Sequence, residues 1–198
     1  MNILAEITAI YATLMSVILA GILNMLFVKT GLFRELYVPM DGGRVMRDGR
    51  RIFGDNKTWK GFFGMVFFGG VSQVLWGLLC VASPHIMAKN QLYALHGQSL
   101  LFDLLAGLLF GLAYALFELP NSFIKRRLDI SCGKTAKGLK GAVFYIVDQI
   151  DSLIGVVLCL SLLCPVSPAQ YLLYIIVGFF THSAVNLILY SLRIRRNI

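Results

Sequence analysis

Apolar residues along this chain gather into five long runs, roughly Ile3–Val28, Gly61–Ala82, Ser99–Leu119, Ala142–Cys164 and Gln170–Tyr190, and nearly all the charge falls between them. Each run approaches or exceeds the roughly 20 residues that a helix needs to cross about 30 Å of hydrocarbon. None shows the alternation of a membrane strand, and in lipid only helices and closed barrels satisfy every backbone polar group. The pattern predicts an all-α polytopic membrane protein with about five transmembrane helices. No repeat, low-complexity segment or second domain interrupts it, so one integral-membrane domain is expected over residues 1–198.

Composition agrees with the pattern. The chain is 58% hydrophobic and only 14% charged, with a mean hydropathy of +0.75, well outside the range of a soluble domain. Charge placement then orients it. Lys29 to Lys60 holds eight basic residues, Lys125 to Lys140 holds six, and the tail adds Arg193, Arg195 and Arg196. Lys89 alone falls on the other side, so seventeen of the eighteen basic residues share one face. The positive-inside rule puts the N-terminus outside and both basic loops in the cytoplasm, in the cell membrane. The net charge of +8 is therefore a sided surface, suited to anionic headgroups, to anionic nucleotides, or only to correct insertion. The first run lacks a basic n-region and is too long for an ordinary signal-peptide core, so no cleaved leader is expected. The four cysteines, Cys80, Cys132, Cys159 and Cys164, show no zinc spacing and read as thiols; a Cys80–Cys164 disulfide is the one alternative pairing.

The first basic loop reads Asp41-Gly42-Gly43-Arg44, then Arg47 to Arg51, then Gly54 to Gly61. Glycines among cations let backbone N–H groups approach phosphate oxygens while Lys and Arg neutralise the charge. Arg44 and Arg51 are candidates of this kind. Lys57 and Thr58 stand where the second span begins, and the positive end of a helix dipole there also favours an anion. A cytoplasmic anchor with Trp59 at the interface is the plainer alternative for the same residues. In the second basic loop, Glu118 ends the third span and Pro120 follows, either kinking the helix or opening a new one at its first turn. If helix continues, Glu118, Ser122 and Lys125 share one face at spacings of four and three. A stop-transfer cluster, Lys125-Arg126-Arg127, would look the same from sequence.

Asp148 and Asp151 are harder to explain away. At spacing three they lie on one helix face. At about 5.5 Å and an effective dielectric near 20, two negative charges repel by roughly 3 kcal/mol. One acid within the membrane already costs about 2.5–3.5 kcal/mol on insertion scales. Protonation, a cation partner such as Lys140, or a bound metal must offset this. Magnesium suits the pair, since it takes few protein ligands and keeps several waters, and Glu118 offers a third acid at the same level. The combination points to a site where a metal and phosphates meet at the bilayer surface.

Other motifs fall away. Gly133-Lys134-Thr135 mimics the end of a P-loop, but Leu128 stands where its first glycine belongs and no strand precedes it. No histidine pair has metal spacing, and no Cys/His couple or G-x-S-x-G marks a nucleophile. His182, with Asn186 one turn on, reads as an interhelical hydrogen-bonding residue. Asp103 and Glu6 lie towards the outer side, away from the basic loops.

With these residues in view the chain resembles the CDP-archaeol synthase family and, more distantly, the phosphatidate cytidylyltransferases. The matching segments are Asp41–Arg44, Arg50–Gly61, Ser122-Phe123-Ile124-Lys125-Arg126-Arg127 and Asp148-Gln149-Ile150-Asp151, and with the five-span layout they cover essentially the whole chain. The resemblance implies a single catalytic domain that transfers CMP from CTP to a lipid phosphate with Mg2+, releasing pyrophosphate at the cytoplasmic face. It implies Asp148 and Asp151 as metal ligands with Glu118 beside them. Lys57 and Lys125 join the acidic pair as catalytic residues, and Arg44, Arg51, Thr58, Ser122 and Arg126 bind the substrates. The partners implied are CTP, the lipid acceptor and the membrane, with no nucleic acid; a homodimer is left open. Three departures stand out: Glu118 replaces the usual Asp, the connection from Arg127 to Asp148 is longer and rich in Lys and Gly, and Lys140-Gly141-Ala142 replaces a His-Gly-Gly. The competing readings are an anionic-lipid transporter or flippase and a non-catalytic scaffold binding anionic lipids. The first predicts polar residues spread along the spans, and the second leaves the intramembrane acids without a purpose.

Overall fold

The computed structural model describes residues 3–134 and 136–192. Thr135 and the basic tail residues Arg193, Arg195 and Arg196 lie outside them. Helices α1 (Ile3–Lys29), α2 (Trp59–Ala82), α5 (Leu100–Arg127), α6 (Gly138–Leu163) and α7 (Pro168–Ser191) are each long and apolar enough to cross a membrane. Two short helices, α3 (Pro84–Lys89) and α4 (Gln91–His96), bridge α2 to α5, and a 3-10 turn over Arg34–Leu36 follows α1. The described residues contain no strand beyond the isolated bridges Pro39–Thr58 and Val45–Arg51.

Local chemistry sets the ends. Thr58 caps α2 by accepting from the Gly61 amide at 3.1 Å, Ser99 caps α5 through Phe102 at 3.2 Å, and Ser167 with Gln170 forms a capping box on α7. The hydropathy boundaries needed two corrections. Helix α5 runs unbroken through Pro120 to Arg127, eight residues past the apolar run, and α6 begins at Gly138, four residues before it. Pro120 is exposed, so its ring and the carbonyl it leaves unbonded find room on the outside of the bundle. The consequence is large: Asn121, Ser122, Lys125 and Arg126 ride on a rigid helix and not on a loop.

Helix α5 is the central element, packed against both α2 and α6. Gly69 and Gly70 of α2 meet Gly107 and Gly111 of α5 almost backbone to backbone: a Cβ on Gly107 would stand 2.8 Å from the Gly70 Cα. Without a hydrophobic drive between helices in lipid, such close van der Waals approach holds them together. The half of the bundle away from the basic loops carries a buried polar network. Asp103 is fully buried and accepts from Tyr93 Oη at 2.7 Å and from Gln98 Nε2 at 2.8 Å. Gln73 Nε2 donates to Tyr93 Oη at 3.0 Å, and Ser16 Oγ donates to Gln73 Oε1. All four cysteines are free thiols.

Candidate functional site

The loop between α1 and α2, loop 1, folds around one carboxylate. Asp41, 6% exposed, accepts from the backbone N–H groups of Gly43, Phe53 and Gly54 and from Arg51 Nε and Nη2. Burial alone would raise its pKa, but Arg51 and the three amides outweigh it and hold the carboxyl well below the usual range. Gly43 and Gly54 adopt left-handed backbones, φ 77° and 112°, that turn the chain around Asp41. The folded loop then docks on the end of α5. Arg50 reaches the Arg127 carbonyl at 2.7 Å and Asp129 at 2.5 Å, Arg127 bridges back to Asp48 at 2.8 Å, and Ser122 Oγ donates to the Phe53 carbonyl at 2.9 Å.

This docking delivers Lys57 to the helices. Its ammonium forms a salt bridge with Glu118 of α5. Desolvation pushes the Lys57 pKa down, but the charges of Glu118, and after it Asp151 and Asp148, raise it above its ordinary value. Lys125 of α5 pairs with Asp148 of α6, not with Glu118, and its ammonium lies 5.7 Å from the centre of the Phe144 ring. Asn121 Nδ2 donates to Asp148 Oδ1 and to Asp151 Oδ2, both at 2.7 Å. Two ammonium groups, three carboxylates and one carboxamide from three separate segments therefore converge at one end of the bundle.

Of the residues singled out from sequence, Lys57, Glu118, Lys125, Asp148 and Asp151 come together here. Ser122 lies one residue from Asn121 with its hydroxyl bonded to loop 1, and Thr58 is engaged as the α2 cap. Arg51 is committed to Asp41 and Asp55, while Arg44 is exposed in the turn that follows Asp41. Arg126 lies alongside Gly54, and its Nε is buried with no hydrogen-bond partner. Lys140, the suggested partner of the acidic pair, instead donates to the Leu128 carbonyl. His182 and Asn186 reach across to the Gln149 carbonyl (3.1 Å) and Gln149 Oε1 (2.7 Å), the interhelical role expected of them.

Two residues were not foreseen. Asn121 carries a signal in retrospect: it sits three residues after Glu118 and four before Lys125, on the same helix face. Asp41 stood out only as part of the Asp41–Arg44 segment, and its role as the centre of the loop could not be read there, because what makes it central is the closure of a loop around it.

Among the described residues no three His, Cys, Asp or Glu stand close enough to cage a metal by themselves. Glu118 is salt-bridged to Lys57 and Asp148 to Lys125, and Asp148 and Asp151 are the two acids joined through Asn121. That donor set fits magnesium, which is held by one or two carboxylates with waters and substrate phosphates. Asn121 Oδ1, buried with no hydrogen-bond partner on a side chain that bonds both acids, is a further oxygen beside the pair.

Comparison with known proteins extends the geometry. A family model described as CarS-like, CDP-archaeol synthase, matches residues 7–197. A CDP-archaeol synthase of Thermococcus onnurineus is 33% identical over 156 residues, 78% of each chain. One from Thermococcus gammatolerans is 35% identical over 154 residues, again 78% of each. A solved structure of an intramembrane enzyme for archaeal membrane lipids biosynthesis shares the fold at a TM-score of 0.61 and 22% identity, covering 89% of this chain and 92% of that one.

Proposed function

This chain belongs to the CarS-like CDP-archaeol synthase family, and we propose that the cluster at the α5–α6 end is where it moves CMP from CTP to an ether-linked archaeal lipid phosphate. It is an integral membrane nucleotidyltransferase, a CTP-dependent cytidylyltransferase acting on a lipid phosphate; the transporter and scaffold readings are not favoured. The observation that carries the assignment of the site is the convergence of Lys57, Glu118, Asn121, Lys125, Asp148 and Asp151.

The chemistry asks for what this cluster offers. Two anions, the lipid phosphate and the CTP triphosphate, must be brought together so that a lipid phosphate oxygen attacks the α-phosphorus and pyrophosphate departs. Lys57 and Lys125 offset that repulsion, and they are already charged and held in place by Glu118 and Asp148. Preorganised charge of this kind costs no rearrangement at the moment of reaction. The attacking phosphate is ionised at neutral pH, so no general base is needed, in keeping with a cluster that contains no histidine. Asp148 and Asp151 would hold Mg2+, which when bound supplies further neutralisation of the departing pyrophosphate. Arg126, whose Nη1 lies beside Gly54, and Arg44, exposed further out, are the arginines assigned to grip phosphate. Ser122, Thr58 and Arg51 act by fixing loop 1 and the start of α2 around the substrates.

We assign part of one acceptor chain to an apolar cavity beside the acids. A cavity of about 100 Å3 between α1, α6 and α7 is lined mostly by apolar residues, with Gln149 and Ser152 on its wall, each next to one of the paired acids. Tyr114, one helical turn before Glu118 on α5, lines it too. The basic loops, by the positive-inside rule, put the site at the cytoplasmic face of the cell membrane.

The test is direct. Purified protein given labelled CTP, Mg2+ and a panel of ether- and ester-linked lipid phosphates should yield CDP-lipid and pyrophosphate, with the archaeal ether lipid preferred. Equal turnover of an ester-linked acceptor would remove the lipid assignment, and loss of product on removing Mg2+ is expected.

A further inference from the structure

We propose that Asn121 is a reversible third oxygen donor of the acidic pair: its amide nitrogen holds Asp148 and Asp151 together while no cation lies between them, and its amide oxygen takes over when one does. The inference rests on the reading of Asp148 and Asp151 as the cation site.

A carboxamide presents two N–H donors at one end and an acceptor oxygen at the other. In Asn121 the donor end is fully used, one hydrogen to each aspartate at 2.7 Å. The acceptor end is not used at all: Asn121 is 7% exposed, and its Oδ1 is buried with no hydrogen-bond partner. Leaving a buried acceptor unsatisfied is destabilising. The amide nitrogen in turn relieves the repulsion of two carboxylates on one helix face, which Lys125 relieves only on the Asp148 side. The two ends of a carboxamide are nearly the same size, so a half-turn about the last side-chain torsion exchanges them without moving α5. With a divalent cation between the aspartates the N–H groups would face like charge, and an oxygen in their place becomes a ligand of the kind hard cations prefer. The orphaned oxygen thereby gains a partner at the moment the bridge is no longer needed. A rigid spacer would have no need of a carboxamide and no reason to bury an unpaired oxygen beside two acids.

Two substitutions separate the roles. Asn121→Leu removes both ends, whereas Asn121→Asp removes the N–H bridge but keeps an oxygen at the Oδ1 end. Mn2+ serves as the probe, titrated into purified protein with its binding followed by paramagnetic resonance of the free ion, in one series alone and in a second with CTP; thermal unfolding is recorded with and without Mn2+. The expected result is Mn2+ affinity reduced about 10- to 100-fold in Asn121→Leu, and equal to or tighter than wild type in Asn121→Asp. The metal-free Tm of Asn121→Asp should fall, and Mn2+ should raise it by more than it raises wild type. Wild-type affinity in Asn121→Leu would make Asn121 a spacer and overturn the proposal. Affinity in Asn121→Asp as weak as in Asn121→Leu would overturn it as well, since the N–H end alone would then matter. Should wild type bind no Mn2+ in either series, it is the assignment of the acidic pair that fails, and the proposal goes with it.

Discussion

Lys125 on the last turns of α5 is salt-bridged to Asp148 on α6, so the cation of one helix is held by the acid of the next. The pair is partly open, with side chains 16% and 35% exposed, which leaves the ammonium reachable from the end of the bundle. A cation so placed is oriented by its partner, and the proposed function would use it to meet phosphate.

Lys125→Met should therefore lower turnover about 100- to 1,000-fold, the usual loss on removing a preorganised charge donor. It also leaves Asp148 without its cation, so a fall in stability of about 1–3 kcal/mol is expected. Steady-state kinetics with CTP and a thermal melt of the same sample measure both. Unchanged kcat would remove Lys125 from the phosphate site.

Asp151 and Glu118 should behave differently although both are acids of the cluster. Asp151→Asn is expected to collapse turnover by about 1,000-fold or more while the protein still inserts into membranes. Glu118 is engaged by Lys57, so Glu118→Gln should cost only about 10-fold, chiefly by loosening Lys57. If the two variants are equally inactive, Glu118 belongs with the metal ligands after all.

Acid sensitivity should trace to Asp41. Its folded pKa is depressed, so the stability it contributes is complete above the unfolded carboxylate value of about 3.9 and is lost as pH falls below it. Wild type should lose thermal stability below about pH 4, whereas Asp41→Asn should be less stable at pH 7 by about 2 kcal/mol and flatter towards acid. A wild-type melt that is identical at pH 7 and pH 3 would contradict the Asp41 cage.

The α2–α5 contact gives a prediction independent of the chemistry. A Cβ on Gly107 would run into the Gly69 carbonyl and lie 2.6 Å from the Gln73 Cβ, atoms with nowhere to move. Gly107→Leu should destabilise by about 1–3 kcal/mol, more than the gain in helix propensity returns. Unfolding in detergent measures it; a stability at or above wild type would mean the helices are farther apart than described.

Much of this protein is written in its local pattern. Five apolar runs became five long helices because a span needs only about 20 apolar residues in a row, and no distant contact has to be known. The acids at positions 148 and 151, three apart on one helix, were visible because helical periodicity is local and their cost in a membrane is intrinsic. Tertiary structure supplied the partners. It paired Lys125 with Asp148 and Lys57 with Glu118, closed loop 1 around Asp41, and put Asn121 between two carboxylates, contacts that join residues 10 to 61 positions apart or sit on different helices. Continuity of α5 through Pro120 belongs there too, since proline permits both a break and a bridged helix, and packing against α2 and α6 selects between them. Spacing along one helix is set by the backbone alone, whereas which helix faces meet depends on every packed glycine and loop closure at once, and no short stretch of sequence carries that information.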